Sequence, residues 1–95
     1  MAKIIIPTPL RKFTENNATL DVSGATVGES INELITAFPG LKQHLQDQSD
    51  RVRSYVNIFV GDENMRSLNN EETPVQADTV ISIVPAIAGG AGIDN

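Results

Sequence analysis

Cysteine and histidine, two residue types that carry much enzyme chemistry, are absent or nearly absent from this chain of 95 residues. Cysteine is absent, which excludes disulfides, thiolate zinc sites, iron–sulfur clusters and a cysteine nucleophile. The single histidine, His44, cannot form a multi-histidine metal site, and its isolation argues against a Ser–His–Asp triad. Because His44 lies between Leu41 and Leu45 in a short polar helix, we expect its side chain to be solvated or locally hydrogen-bonded. The sequence therefore predicts no metal site and offers little for a conventional catalytic centre.

Two pairs of neighbouring carboxylates are the next candidates. Asp62 and Glu63 fall in a predicted turn, and residues 71–72, both glutamates, fall in a loop. Paired carboxylates act as acid and base only where their surroundings separate their pKa values, so in short exposed loops we expect both pairs to be solvated. Gly24 and Gly28 lack the further glycine and the basic residue of a phosphate-binding loop. They are interpreted as a turn and the start of a helix.

The remaining candidate is the pair Gly89 and Gly90, which follows a β-branched run near the end of the sequence. Glycine has no Cβ, so two in succession form the thinnest backbone that a protein can present. A narrow enzyme channel can admit such a segment and act on the Gly90 carbonyl while excluding bulkier chains. A flexible end of small residues explains the same composition, because an isolated Gly-Gly pair is a weak motif.

Composition and charge narrow the class of protein. Hydrophobic residues make up 40% and charged residues 20%, as expected for one small globular domain. The net charge is −5, and the basic residues are scattered along the sequence, which argues against nucleic acid and anionic membranes as partners. No apolar run approaches the ~20 residues that span a bilayer, and no signal peptide is evident. We therefore expect a cytoplasmic protein that is a monomer when alone.

The pattern of apolar residues predicts a hairpin followed by one main helix. Residues 3–6 and 18–22 are interpreted as two strands joined by a long, proline-bearing connection. Thr26 and Glu29 form a capping box at the start of the helix, which ends at residues 39–40, Pro-Gly. The apolar face of this helix recurs at helical spacing. It comprises Val27, Ile31, Leu34, Ile35 and Phe38.

Two further strands complete the prediction, at residues 55–60 and 79–84. This order predicts an α+β domain of the β-grasp (ubiquitin-like) type, with a mixed sheet of about four to five strands packed on one main helix. A ferredoxin-like split βαβ arrangement is the alternative, but it needs two long helices. We assign residues 1–88 to the domain and residues 89–95 to a flexible tail.

Three stretches of the chain resemble one known family. Residues 77–90 (ADTVISIVPAIAGG) resemble the C-terminal strand and tail of the MoaD/ThiS family of ubiquitin-like sulfur carriers. Residues 55–66 (YVNIFVGDENMR) are similar to the third strand and hairpin of its CysO-type members, and residues 6–11 (IPTPLR) match that branch too. The resemblance covers nearly the whole chain, with its parts in the family's order.

The resemblance implies a carrier that is a substrate of other enzymes and not itself an enzyme. An E1-like activating enzyme would use ATP to adenylate the carboxylate of Gly90, and sulfur would then replace AMP to give a thiocarboxylate. The carrier itself would bind no cofactor, and Ala88 and Gly89 would thread into the partner. The acceptor would be a pyridoxal-phosphate cysteine synthase in the CysO type, or molybdopterin or thiamin thiazole in the MoaD and ThiS types.

The sequence departs from the family at residues 91–95, because mature carriers end at the second glycine. As a peptide carbonyl, Gly90 cannot be adenylated, so we expect a processing protease to remove residues 91–95. We also expect a partner-docking surface at Phe59, Val80 and Val84, which alternate away from the predicted core. Ordinary exposed apolar residues explain these three equally well.

Two other functions remain open at this stage. The chain could be a ubiquitin-like protein modifier that is conjugated to lysines through Gly90. It could also be a β-grasp interaction module in which the Gly-Gly pair has no role.

Overall fold

One five-stranded mixed sheet forms the first layer of the fold, in a computed structural model that describes residues 2–49 and 51–85. The strand order is β2-β1-β5-β3-β4. Strands β1 and β5 are parallel, and the other neighbouring pairs are antiparallel. The strands are β1 (Ala2–Ile5), β2 (Thr19–Val22), β3 (Val56–Val60), β4 (Glu63–Asn64) and β5 (Val80–Pro85).

The second layer is a single long helix, α1 (Val27–Ala37), with a short helix, α2 (Lys42–Leu45), after it. Four 3-10 turns lie in the connections, at Thr8–Phe13, Pro39–Leu41, Met65–Ser67 and Asn70–Glu72. Among the described residues, no helix is both long and apolar enough to cross a membrane.

The start of α1 is fixed by the predicted capping pair, with one shift. The hydroxyl of Thr26 accepts a hydrogen bond from the Glu29 backbone N–H at 3.2 Å. The Glu29 carboxylate accepts in turn from the N–H of Ala25 at 2.9 Å, one residue before the cap. Both bonds satisfy donors that have no partner within the helix, so the local sequence is sufficient to begin the helix here.

The core lies between the inner face of the sheet and the apolar face of α1. Each central strand alternates, so every second side chain is buried, as the sequence predicted for Ile58, Ile81 and Ile83. Ile35 and Phe38 pack against the edge of the core, half-buried. The largest fully buried side chains are Ile4, Ile6, Val22, Val27, Ile31, Leu34, Leu41, Leu45, Val56, Ile58, Met65 and Ile81.

The turn between β3 and β4 forms at Gly61, as predicted. Gly61 has φ of +65°, a left-handed conformation that glycine adopts without steric cost. The loop that follows differs from the prediction of solvated carboxylates, because Glu71 is half-buried and its carboxylate accepts the Val52 N–H at 3.0 Å. This bond fastens the loop to the connection before β3.

The architecture is a β-grasp fold, in agreement with the sequence. The mixed five-stranded sheet curls over one main helix, and the first and last strands lie side by side at its centre. Helix α2 has only four residues, so the two long helices of the ferredoxin-like alternative are not found in the described part of the chain.

Ile81 provides a test of the central strand. We expect Ile81→Ala to lower the free energy of unfolding by about 2–5 kcal/mol, because this side chain is fully buried and its loss leaves a cavity. Val80→Ala is the matched control on the same strand, since Val80 is 39% exposed and should cost well under half as much. Urea denaturation measures both values. Equal losses would contradict the assignment of the inner face.

Candidate functional site

Strand β5 lies at the centre of the sheet and leads directly to the predicted reactive tail. It is held by β1 on one side and β3 on the other, and the last described pair joins Val56 to Pro85. Ala88, Gly89 and Gly90 lie outside the described residues, as does the boundary predicted at residue 89. The described part of the site is therefore the sheet surface and the loops around Pro85.

The three residues of the predicted docking surface share the outer face of the sheet. Val80 and Val84 are 39% and 46% exposed, and Phe59 is half-buried. Phe59 pairs with Ser82, which lies between the two valines on β5. Because side chains alternate along each strand, Phe59, Val80 and Val84 point away from α1 together.

Ile5 also belongs to this surface, and sequence reasoning did not select it. It is 38% exposed and pairs with Ser82 from the side opposite to Phe59. The alternation of β1 was a usable signal, since Ile4 and Ile6 are fully buried on either side. Only the pairing of β1 with β5 brings Ile5 to the others. We call Ile5, Phe59, Val80 and Val84 the outer apolar patch.

A hydrogen-bonded arginine borders this patch near the root of the tail. Asn57 pairs with Val84, and its side-chain oxygen accepts a hydrogen bond from the Arg66 guanidinium at 3.0 Å. The same guanidinium donates to the backbone carbonyl of Arg53, also at 3.0 Å. These two bonds hold the Arg66 side chain beside the end of β5.

A cleft of about 440 Å³ opens next to these arginines, where the chain enters β3. Its walls combine cationic, acidic and apolar side chains. They include Asp47, Arg51, Arg53, Tyr55, Met65, Arg66 and Glu71.

The lone histidine is in a local aromatic contact. The ring centroids of His44 and Phe13 are 4.4 Å apart, and the Lys12 ammonium lies 5.2 Å from the Phe13 ring. The side chain is half-buried against Phe13 and forms no hydrogen bond with any described residue, whereas a solvated or locally hydrogen-bonded His44 was expected.

Comparison with known proteins places the chain in a family. The model of the ThiS family matches residues 4–90. The chain belongs to the ThiS family. Sulfur carrier protein CysO of Mycobacterium tuberculosis strain H37Rv is 34% identical over 89 residues, which cover 92% of this chain and 96% of that protein. The predicted resemblance to CysO-type members is thus confirmed.

Solved structures agree with this membership. The chain matched in the Amycolatopsis orientalis BexX/CysO complex has a TM-score of 0.87 and 31% identity, covering 95% of this chain and 100% of that one. Mycobacterium tuberculosis CysO gives a TM-score of 0.83 at 31% identity, with 90% and 99% covered. Small archaeal modifier protein 1 of Methanosarcina acetivorans gives 0.83 at 25%, with 94% and 95% covered.

One carboxylate of the cleft is electrostatically perturbed. The pKa of Asp47 lies below its ordinary value of 3.8, chiefly because its carboxylate accepts the backbone N–H of Arg51 at 3.1 Å. The N–H of Ser49 at 2.8 Å and the guanidinium groups of Arg53 and Arg51 lower the pKa further. A pKa that is lower in the folded state stabilises the fold above the unfolded value and loses this effect as the pH falls.

We therefore expect Asp47→Asn to flatten the acid side of the stability curve. The wild-type free energy of unfolding should fall as the pH drops below about 4, and the variant should lose less over the same interval. Urea denaturation at a series of pH values measures this. Asp62→Asn is the control, because the Asp62 carboxylate accepts no hydrogen bond from any described residue. An identical slope in Asp47→Asn and wild type would contradict the prediction.

Proposed function

We propose that this chain is a sulfur carrier protein whose Gly90 is converted to a thiocarboxylate. The observation that carries the proposal is that the ThiS family match ends at Gly90, although the sequence continues to residue 95. The position of β5 supports it, because the glycine pair follows this central strand in the sequence. The similarity to sulfur carrier protein CysO supports it as well.

The first step is hydrolysis of the peptide bond between Gly90 and Ala91 by a processing protease. Water adds its oxygen to the Gly90 carbonyl carbon, and residues 91–95 leave with a new amino group. Gly90 then carries a free carboxylate. Without this step the carbonyl is part of an amide and has no oxygen that can attack ATP.

The second step is activation by an E1-like enzyme. A carboxylate oxygen of Gly90 attacks the α-phosphorus of ATP and displaces pyrophosphate, giving an acyl adenylate. A sulfide-level donor then attacks the carbonyl carbon and expels AMP, leaving the thiocarboxylate with no net oxidation or reduction. The carrier acts as a substrate throughout and holds no cofactor, so its own residues present Gly90 and bind the partner.

The proposed acceptor is a cysteine synthase, so that the sulfur enters cysteine biosynthesis. The similarity to CysO across nearly the whole chain favours this acceptor over molybdopterin or thiamin thiazole. A thiocarboxylate is a soft nucleophile, and on Gly90 it would lie five positions after Pro85, the last residue of β5. Partner binding is supported by the solved BexX/CysO complex, in which a similar protein is bound to another.

A ubiquitin-like protein modifier is the second candidate. It is favoured by the likeness to small archaeal modifier protein 1, at 25% identity over 94% of this chain. Both functions need adenylation of Gly90. A modifier then transfers its acyl group to a lysine amine, whereas the thiocarboxylate of a carrier donates its sulfur to an electrophilic acceptor. The interaction-module alternative differs from both, because it needs no processing at Gly90.

Intact mass of the protein from its own cells tests the carrier function. We expect a chain that ends at Gly90, part of it with the mass gain of one oxygen-to-sulfur exchange. Gly90→Ala should abolish the sulfur-bearing form, because a side chain at this position obstructs the thin channel that Gly-Gly fits. Gly92→Ala is the matched control and should behave as wild type, since Gly92 is removed during processing.

Three other outcomes would distinguish between the candidate functions. Wild-type protein that retains residues 91–95 throughout would refute the carrier. Gly90 joined to lysines of other proteins, without the sulfur-bearing form, would assign the modifier function. Normal function of Gly90→Ala in cells would leave the interaction module.

The outer apolar patch gives a prediction about docking. We expect Val84→Arg to slow thiocarboxylate formation at least tenfold while preserving the fold, because an arginine on this exposed face obstructs an apolar interface. Leu68→Arg is the control, since Leu68 is 40% exposed and lies outside the sheet. Mass spectrometry follows the product, and thermal unfolding verifies the fold. Equal rates for the two variants would place docking elsewhere.

A further inference from the structure

The fold gathers the basic residues at one end of the sheet, although the sequence scatters them. The end in question is where β5 reaches Pro85, and it also contains Val56 of β3 and Ile5 of β1, which runs parallel to β5. We call it the tail-root end. Every lysine and arginine except Lys3 lies there, as the following contacts establish.

Three arginines surround the start of β3. Arg66 donates to Asn57 and to the Arg53 carbonyl, and the side chain of Arg53 donates to the Gln43 carbonyl at 2.9 Å. Arg51 lines the same cleft. Its side chain is exposed and forms no hydrogen bond with any described residue.

The other three basic residues of this end lie in the connection after β1 and in helix α2. Arg11 donates to the Ile6 carbonyl at 3.0 Å, directly after β1. Lys12 lies over the ring of Phe13, which contacts His44 of α2. Helix α2 begins at Lys42, which lines a pocket together with Asp47 and Arg53.

Four acidic residues and one lysine lie at the opposite end, where β5 begins. Asp78 precedes β5, and the turn that holds Asp62 and Glu63 is attached there by a hydrogen bond from the Gly61 N–H to the Val80 carbonyl at 2.9 Å. Asp21 pairs with Lys3, which pairs with Val80.

The tail-root end still contains carboxylates. Asp47 and Glu71 lie in the cleft, where each accepts backbone N–H groups, and Glu15 lies in the turn before β2. Glu72 lines a neighbouring pocket together with Arg51. Among the described residues of this end, six basic side chains therefore outnumber four acidic ones, whereas the whole chain has a net charge of −5. The two ends therefore differ in sign.

We infer that the E1-like activating enzyme presents aspartates and glutamates around the entrance of the channel that takes up the tail. The inference rests on the proposed function and adds the chemistry of the partner surface. A cationic tail-root end is drawn toward such an entrance, and the acidic opposite end is turned away from it. The molecule thus approaches with the tail foremost, which raises the association rate.

Two pairs of substitutions with equal charge change test the inference. Lys12→Gln with Arg51→Gln removes charge from the tail-root end at two exposed positions. Gln76→Glu with Ala77→Glu adds the same negative charge at the opposite end, also at exposed positions. Full-length proteins are added to an extract of the cells from which the protein comes, supplied with ATP and sulfide. Mass spectrometry then gives the rates of trimming and of thiocarboxylate formation.

We expect the double variant Lys12→Gln with Arg51→Gln to form the thiocarboxylate roughly tenfold more slowly than wild type at low salt. The difference should disappear near 1 M salt, where charges are screened within about 3 Å. The Gln76 and Ala77 pair should stay close to wild type. Equal slowing by both pairs, or no effect of the Lys12 and Arg51 pair, would overturn the inference while leaving the carrier function intact.

Two further outcomes separate the remaining explanations. If the wild-type chain forms no thiocarboxylate in the extract, the proposed function fails and the inference fails with it. A fluorescent single-stranded RNA provides a check on the ligand class. If this RNA binds the wild-type protein but not the double variant Lys12→Gln with Arg51→Gln, the tail-root end recognises a polyanion. The inference of an acidic channel entrance on a partner protein is then wrong.

Discussion

The pairing of β5 with β1 and β3 is the constraint on which the rest of the structure depends. It places Ile81 and Ile83 against the helix layer and leaves Val80 and Val84 on the outer face. Since the side-chain period of a strand is two, a slip of one residue would exchange these two sets. The burial of Ile81 therefore fixes the register, and the register determines both the outer apolar patch and the position at which the tail leaves the sheet.

Local sequence patterns were sufficient to predict the main helix and four of the five strands. The helix start follows from Thr26 and Glu29, whose side chains bind nearby backbone donors, and alternation identified the inner faces of β3 and β5. These signals are short-range, and they act within one turn of helix or one strand. The β-grasp arrangement followed because few topologies accommodate a hairpin, one helix and later strands in this order.

Features that depend on distant residues could not be predicted in the same way. Ile5 became part of the outer apolar patch only through the parallel pairing of β1 with β5. Glu71 was expected to be solvated, but it binds the N–H of Val52, nineteen positions earlier in the chain. Neither contact has a local signature, because each depends on how the connections fold back onto the sheet. The predicted roles of Ala88, Gly89 and Gly90 lie outside the described residues and stay predictions.

Basic residues were judged to be scattered because they are far apart in the sequence, and the fold changes that conclusion. Arg11 and Arg66 are separated by most of the chain, yet they lie at the same end of the sheet because β1 and β5 run in parallel and β3 returns between β5 and β4. Net charge describes solubility and overall attraction, whereas the distribution of charge determines orientation. A protein with a negative net charge can therefore present a cationic surface at one end of its sheet. For the proposed sulfur carrier, whose reactive groups would come from its partners, the orientation of the tail is the property that its own body controls.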